Sequence, residues 1–307
     1  MAHPSLADER TSFIRFAQTH QFVTLFGILL PLAVFAVFVG YPIVFTIYLS
    51  FFDWNGMAPE KTFVGLQNYR YLLVSDKYFY TALLNNVKWV GVTLSFPVLL
   101  GLIIAYGLRS RIIPMPALIR TVIFFPVTMS LISVGLMFLL ILNPLFGAFD
   151  TILQSIGLGS LVMEWFGDYR IALYTLAVVS GWAFTGMPMI LYFAGLGDIP
   201  KETFDAAKGA GHFRMLTQVA VPQLRPVTAV VVMLTLFESL RAFDLVAVMT
   251  KGAPFGSTNV LGYLVYLESF WNSRFGYGAT LSVAILVISI LMATFVMKKL
   301  MKGAFDV

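Results

Sequence analysis

Residues 199–226 read IPKETFDAAKGAGHFRMLTQVAVPQLRP, a polar interruption near the centre of an otherwise oily chain. The stretch carries Lys201, Glu202, Asp205, Lys208, His212, Arg214 and Arg225. Its apolar residues Phe204, Ala207, Leu216, Val219 and Val221 still recur at helical spacing, so the charges face away from one oily stripe. Pro200 suits the first turn of a helix, where its missing N–H is not needed. Glu202 and Asp205 follow it, at the end where the helix dipole favours negative charge. Gly209 and Gly211 supply an elbow, and Pro222 and Pro226 a stiff exit. The spacing predicts two short helices lying flat on one side of a membrane, joined at the glycines.

A membrane is what the rest of the chain requires. Of its 307 residues 59% are hydrophobic and 11% charged, with a mean hydropathy of +0.86. Soluble domains have about a quarter charged residues. A chain this poor in charge cannot cover itself with polar groups in water. The net charge of +5 is scattered through short loops and forms no basic patch, which argues against a nucleic-acid partner. There is no cysteine, which excludes disulfides, thiolate metal sites and a cysteine nucleophile.

Outward from residues 199–226, six apolar runs are each near the ~20 residues that cross ~30 Å of hydrocarbon. They are Phe22–Phe51, Leu83–Leu108, Ile119–Leu142, Ile171–Leu196, Val227–Met249 and Gly278–Met297. The first is too long for a signal peptide and no small-residue cleavage site follows it, so it reads as an uncleaved span that Pro31 and Pro42 kink or bound. Six spans put both termini on one side. The segments on that side carry Arg10, Arg15, Arg109, Arg111, Arg120, Lys298, Lys299 and Lys302 besides the basic residues of 199–226. The other side carries fewer: Lys61, Arg70, Lys77, Lys88, Arg170, Lys251 and Arg274. The positive-inside bias places the termini and the 199–226 loop in the cytoplasm.

Charged and polar residues inside the spans are the candidates for function. Glu238, Arg241 and Asp244 stand three apart in the fifth run, which puts them along one side of a helix. An ionisable group at mid-bilayer costs about 2.5–3.5 kcal/mol, so the three face protein or water. They form either a structural ion network or the wall of a translocation path. Asn85 and Asn86, with Lys88, enter the second run either as interfacial anchors or as solute contacts. Gly181 and Gly186 permit close helix approach, and Trp182 either packs with them or offers a stacking face to a sugar ring. Pro97, Pro126 and Pro188 mark kinks or broken helices beside a path. His3, His20 and His212 lack metal-ligand spacing, and no P-loop, GxSxG, HExxH or carboxylate pair is present. Nothing equips the chain for catalysis or for holding a metal or cofactor.

The central stretch also resembles the EAA loop of the permease subunits of bacterial ABC importers. The matching residues are Asp205, Ala206, Ala207, Gly209 and Pro222, with Ile199, Pro200, Lys201 and Glu202 as lead-in. Asp205 stands where the family has Glu, and the gap between alanines and glycine is shorter than the family's. Phe63–Leu73 (FVGLQNYRYLL), Arg241–Pro254 (RAFDLVAVMTKGAP) and Phe275–Thr280 (FGYGAT) resemble further segments of sugar-importer permeases, in the family's order. The resemblance implies an all-α polytopic membrane protein with six transmembrane helices, a type I importer permease similar to the maltose and glycerol-3-phosphate permeases. Its parts would be a cytoplasmic segment 1–21, a first span and outside loop 22–79, a permease core 80–297 holding the coupling loop 199–226, and a cytoplasmic tail 298–307. It further implies residence in the bacterial cytoplasmic membrane and a solute that is a sugar, sugar derivative or polyol. The partners would be a second homologous permease, two ATPase subunits carrying the ATP and Mg, and an external solute-binding protein. Coupling to the ATPase would fall to Glu202, Asp205, Ala206, Ala207, Lys208, Gly209 and Pro222. The alternative from the residues is an ion-coupled secondary transporter working through Glu238, Arg241 and Asp244.

Overall fold

The computed structural model describes residues 26–200 and 211–301. Among the described residues the regular structure is helical apart from one hairpin of two-residue strands, Phe52–Asp53 with Thr62–Phe63. Helix α1 is Phe26–Leu49, α2 Gln67–Val74 and α3 Lys77–Arg109. Then come α4 Pro116–Thr128, α5 Leu131–Ile141, α6 Ala148–Ser155, α7 Ala172–Phe184 and α8 Gly186–Gly197. After residues 201–210 follow α9 His212–Gln223 and α10 Arg225–Leu240. A helical turn at Val246–Thr250 leads to α11 Leu261–Tyr266, and α12 Phe275–Met301 ends the described chain.

Three helices are long and apolar enough to cross a membrane unaided: α1, α3 and α12. The other apolar runs are broken. α4 and α5 meet at 102°, α7 and α8 at 43°, and α9 and α10 at 77°. The expected third span, Ile119–Leu142, is therefore not one helix: Pro126 closes a 3-10 turn and Met129 and Ser130 are extended, which reverses the chain. The expected fifth span, Val227–Met249, stops at Leu240; Arg241–Phe243 are not helical. Glu238, Arg241 and Asp244 thus do not share one helix face, and the helical spacing expected for them is corrected.

Local chemistry explains several boundaries. In α1, Pro42 has no N–H to give, and the helix widens just before it: Tyr41 N–H reaches Ala36 O, a π turn spanning Ala36–Gly40. α3 starts at Lys77 rather than near Leu83 because buried Asp76 caps it, accepting from the amides of Tyr78 at 2.8 Å and Phe79 at 3.1 Å. The Tyr277 hydroxyl of α12 donates to the other oxygen of Asp76, tying the starts of two long helices together. In the segment before α7, Arg170 Nη2 donates to Asp168 at 2.6 Å; that hydrogen bond, with the Arg170 backbone amide, holds the Asp168 carboxyl down at about 2.

α3 is the central post. It packs against α7, α8, α10 and α11, while α12 covers α1, α10 and α11. Glycines set the closest approaches: a Cβ on Gly101 of α3 would lie 2.8 Å from Met189 N, and one on Gly186 would lie 2.6 Å from Phe124 Cα. Gly186 thus meets the close approach expected of it, as does Gly181 against Phe96 and Pro97. Pro97 stays inside an unbroken α3, buried against this neighbour.

Candidate functional site: a cavity where three helix breaks meet

A cavity of about 320 Å³ lies in the bundle. α3 contributes Trp89, Thr93 and Pro97 to its wall. The α4–α5 reversal contributes Pro126, Val127, Met129 and Leu131, and the α7–α8 bend Phe184 and Met187. The end of α10 and the residues after it contribute Glu238, Ser239 and Arg241–Leu245. The α4–α5 break, the α7–α8 bend and the stop after Leu240 therefore face one space, while the α9–α10 bend is not part of its wall. Non-helical backbone at membrane depth is tolerated where it lines such a cavity, so the breaks and the cavity account for one another.

Helix geometry did not bring Glu238, Arg241 and Asp244 together, yet the cavity does. Each lines it, and no ion pair within 4.0 Å joins them; the ion pairs among the described residues are Asp168–Arg170 and Glu268–Arg274. Arg241 is therefore not neutralised by direct contact with either acid, as a structural ion network would have it. The guanidinium and two carboxylates belong to residues that line the space, and they can offer donors and acceptors to a polar guest.

Two other candidates sit elsewhere. Asn85 is buried and gives its Nδ2 hydrogens to the carbonyls of Ser257 at 2.8 Å and Asn259 at 2.9 Å. It is a structural tie, neither an interfacial anchor nor a lining residue. Trp182 packs edge-on against Phe138, 5.2 Å between ring centres, and is not part of the cavity wall. The indole that does line the cavity is Trp89, 2% exposed, which the sequence did not single out. Thr93, one helical turn further along α3, was missed as well; its hydroxyl meets that of Ser239 at 2.6 Å. The available signal was spacing alone: Trp89 and Thr93 lie four apart on one face of α3.

Of the coupling candidates, Glu202, Asp205, Ala206, Ala207, Lys208 and Gly209 lie outside the described residues. Pro222 is exposed near the end of α9. Gly211 has φ +85°, a left-handed conformation that glycine adopts freely, and α9 starts directly after it. α9 is seated on the ends of α3 and α8: Met215, Ala220 and Leu224 are buried with Tyr106, Leu108 and Leu196. The Tyr106 hydroxyl donates to His212 O at 3.1 Å and stands 3.2 Å from its Nδ1.

A bundle of spanning helices, broken around a cavity lined by two carboxylates and a guanidinium among apolar residues and carrying a surface helix seated across two span ends, has the architecture of a membrane transport protein. Comparison with known families then agrees. Residues 97–302 match the binding-protein-dependent transport system inner membrane component. The probable ABC transporter permease protein YurN of Bacillus subtilis is 34% identical over 273 residues, 88% of this chain and 93% of that protein. The multiple sugar-binding transport system permease protein MsmF of Streptococcus mutans is 30% identical over 267 residues, 85% and 89% of the two chains. Among solved structures, a bacterial ABC transporter involved in the import of the acidic polysaccharide alginate superposes with a TM-score of 0.76 at 18% identity, covering 94% of this chain and 98% of that one. The chain belongs to the family of inner-membrane permease components of binding-protein-dependent ABC transporters.

Membership settles several expectations. The protein is a multi-pass inner-membrane permease subunit. It binds no cofactor, and ATP is hydrolysed by a separate ATPase subunit of a complex that includes a binding protein. ATP-driven import displaces the ion-coupled alternative for Glu238, Arg241 and Asp244.

Proposed function

We propose that this permease imports a sugar, sugar derivative or polyol through the cavity bounded by Glu238, Arg241 and Asp244. The observation that carries the reading is the convergence of the α4–α5 break, the α7–α8 bend and the stop after Leu240 on one cavity that Glu238, Arg241 and Asp244 also line. Carboxylates, a guanidinium and apolar side chains lining one cavity suit a guest with many hydroxyls and an apolar ring face. The sugar named for the Streptococcus mutans relative supports the same class. In this reading the termini are cytoplasmic, residues 80–297 form the core, and the chain pairs with a second homologous permease and two ATPase subunits. An external binding protein delivers the solute.

Coupling runs through 199–226. The segment with Glu202, Asp205, Ala206, Ala207 and Lys208 docks on one ATPase, Gly209 and Gly211 give the chain its freedom to turn, and α9 with Pro222 transmits the movement to α3, α8 and α10. Moving such a two-state equilibrium from 1:99 to 99:1 takes about 5.5 kcal/mol, which closure of an ATPase dimer on ATP can supply and a few docking contacts cannot. The test uses the importer reconstituted with its ATPase, partner permease and binding protein. Arg241→Ala is expected to lower uptake about tenfold or more, the loss of one charge-assisted hydrogen bond to the solute, while binding-protein-stimulated ATP hydrolysis persists. Asp205→Lys is expected to abolish stimulated hydrolysis. Normal uptake by both variants would refute the assignment of path and coupling segment together.

A further inference from the structure

A helix that stops inside a bundle leaves its last carbonyls without intrahelical partners, and in a bilayer water does not take over the task. α10 stops in this way beside the cavity. The carbonyl of Ser239 receives the Ala242 amide at 3.3 Å and, from across the bundle, Nδ2 of Asn86, also at 3.3 Å. The same carboxamide faces a second target. Asn86 Oδ1 accepts the amide of Leu261, the first residue of α11, at 2.7 Å. Asn86 and Ser239 are each 2% exposed. Its orientation follows from its partners, since only the NH2 can serve a carbonyl and only the oxygen an amide. One α3 side chain therefore holds both where the fifth span stops and where α11 starts. Asn86 is not part of the cavity wall; Glu238, Ser239 and Arg241 are.

We propose that Asn86 is the positioning residue of the broken fifth span: its carboxamide fixes the end of α10 and thereby the place of Arg241 in the cavity, without touching solute. Its functional meaning rests on the cavity being the solute path, but the placement of residue 241 is measured separately. Asparagine is required because the two targets have opposite polarity. Aspartate keeps the acceptor for Leu261 and sets a carboxylate against the Ser239 carbonyl. Alanine supplies neither partner.

The absence of cysteine from the chain makes the test direct. In membrane vesicles holding the assembled importer, Arg241→Cys is labelled with a small water-soluble methanethiosulfonate. Ser180→Cys, on α7 across the same cavity, is the reference. Adding Asn86→Asp is expected to change the labelling rate at 241 by about fivefold or more, the population change that follows loss of a buried hydrogen bond, with the rate at 180 unchanged. If the aspartate variant does not assemble, Asn86→Ala is judged by the same criterion. Unchanged labelling at 241 overturns the proposal. So does an equal shift at both positions, because Asn86 would then stabilise the bundle at large instead of placing Arg241. Should Arg241→Ala leave uptake intact, the path reading fails while the labelling result still stands.

Discussion

α1 and α3 look alike by hydropathy and differ in everything else. Both are long and apolar enough to cross a membrane, yet none of the apolar stretch of α1 is buried inside the protein, against 44% of that of α3. Hydropathy reports whether a segment tolerates hydrocarbon and says nothing about whether lipid or protein supplies it. The polar residues make the distinction. α3 carries Asn85, Asn86 and Thr93, each bonded to another part of the chain. In α1 the Thr46 hydroxyl turns back to Pro42 O of its own helix. α12 packs against the last part of α1, Tyr41–Leu49, and near that end Lys61 sits 5.0 Å from the Phe45 ring centre and 4.9 Å from that of Trp54.

Substitutions on the two helices can break this contrast. The largest effect is expected at Gly101 of α3. In Gly101→Leu the new Cβ would stand 2.8 Å from Met189 N, a backbone atom that cannot swing aside. A loss of about 3 kcal/mol or more, or failure to fold, is expected for such overpacking, read as the melting temperature of the detergent-purified chain. Asn85→Leu comes next. It strands the carbonyls of Ser257 and Asn259, and about 1–3 kcal/mol is expected for each buried acceptor left unmet. Melting unchanged by Asn85→Leu would show that these carbonyls find other donors. Least is expected from Phe38→Leu in α1, where the side chain is 74% exposed; the change should stay within about 0.5 kcal/mol. A drop at Phe38 as large as that at Gly101 would remove the distinction between the two helices.

The same contrast marks how far the sequence could be read. The apolar runs, the polar stretch 199–226 and the close approach at Gly186 were legible because composition, spacing and a missing Cβ are local properties. Asp76 carried a readable capping signal, a side-chain acceptor just before Lys77–Arg109, but the apolar count starts only near Leu83 and hid it. The stop after Leu240 was not legible. Arg241, Ala242 and Phe243 include no proline or glycine, and the charges at Glu238, Arg241 and Asp244 keep helical spacing across the stop. Helix is abandoned there because Asn86 and the Thr93 hydroxyl, far away in sequence, hold the Ser239 carbonyl and hydroxyl. The reversal at Met129–Ser130 was half legible: Pro126 announced a disturbance and not its 102° size. Trp182 stands out in the sequence because it sits between Gly181 and Gly186, a pattern that describes packing as well as binding, and nothing local marks Trp89.

By itself the sequence determined that this chain lives in a membrane, how many apolar runs it has and how its basic residues divide between the loops. Those follow from transfer free energies and charge counts, which sum over residues regardless of their neighbours. Only the tertiary structure decided that Glu238, Arg241 and Asp244 share a cavity without sharing a helix, that Asn85 is a tie and that Trp89 is the indole at the site. The physical reason is that a buried polar group goes where its partners are, and here those partners lie more than 140 positions away along the chain.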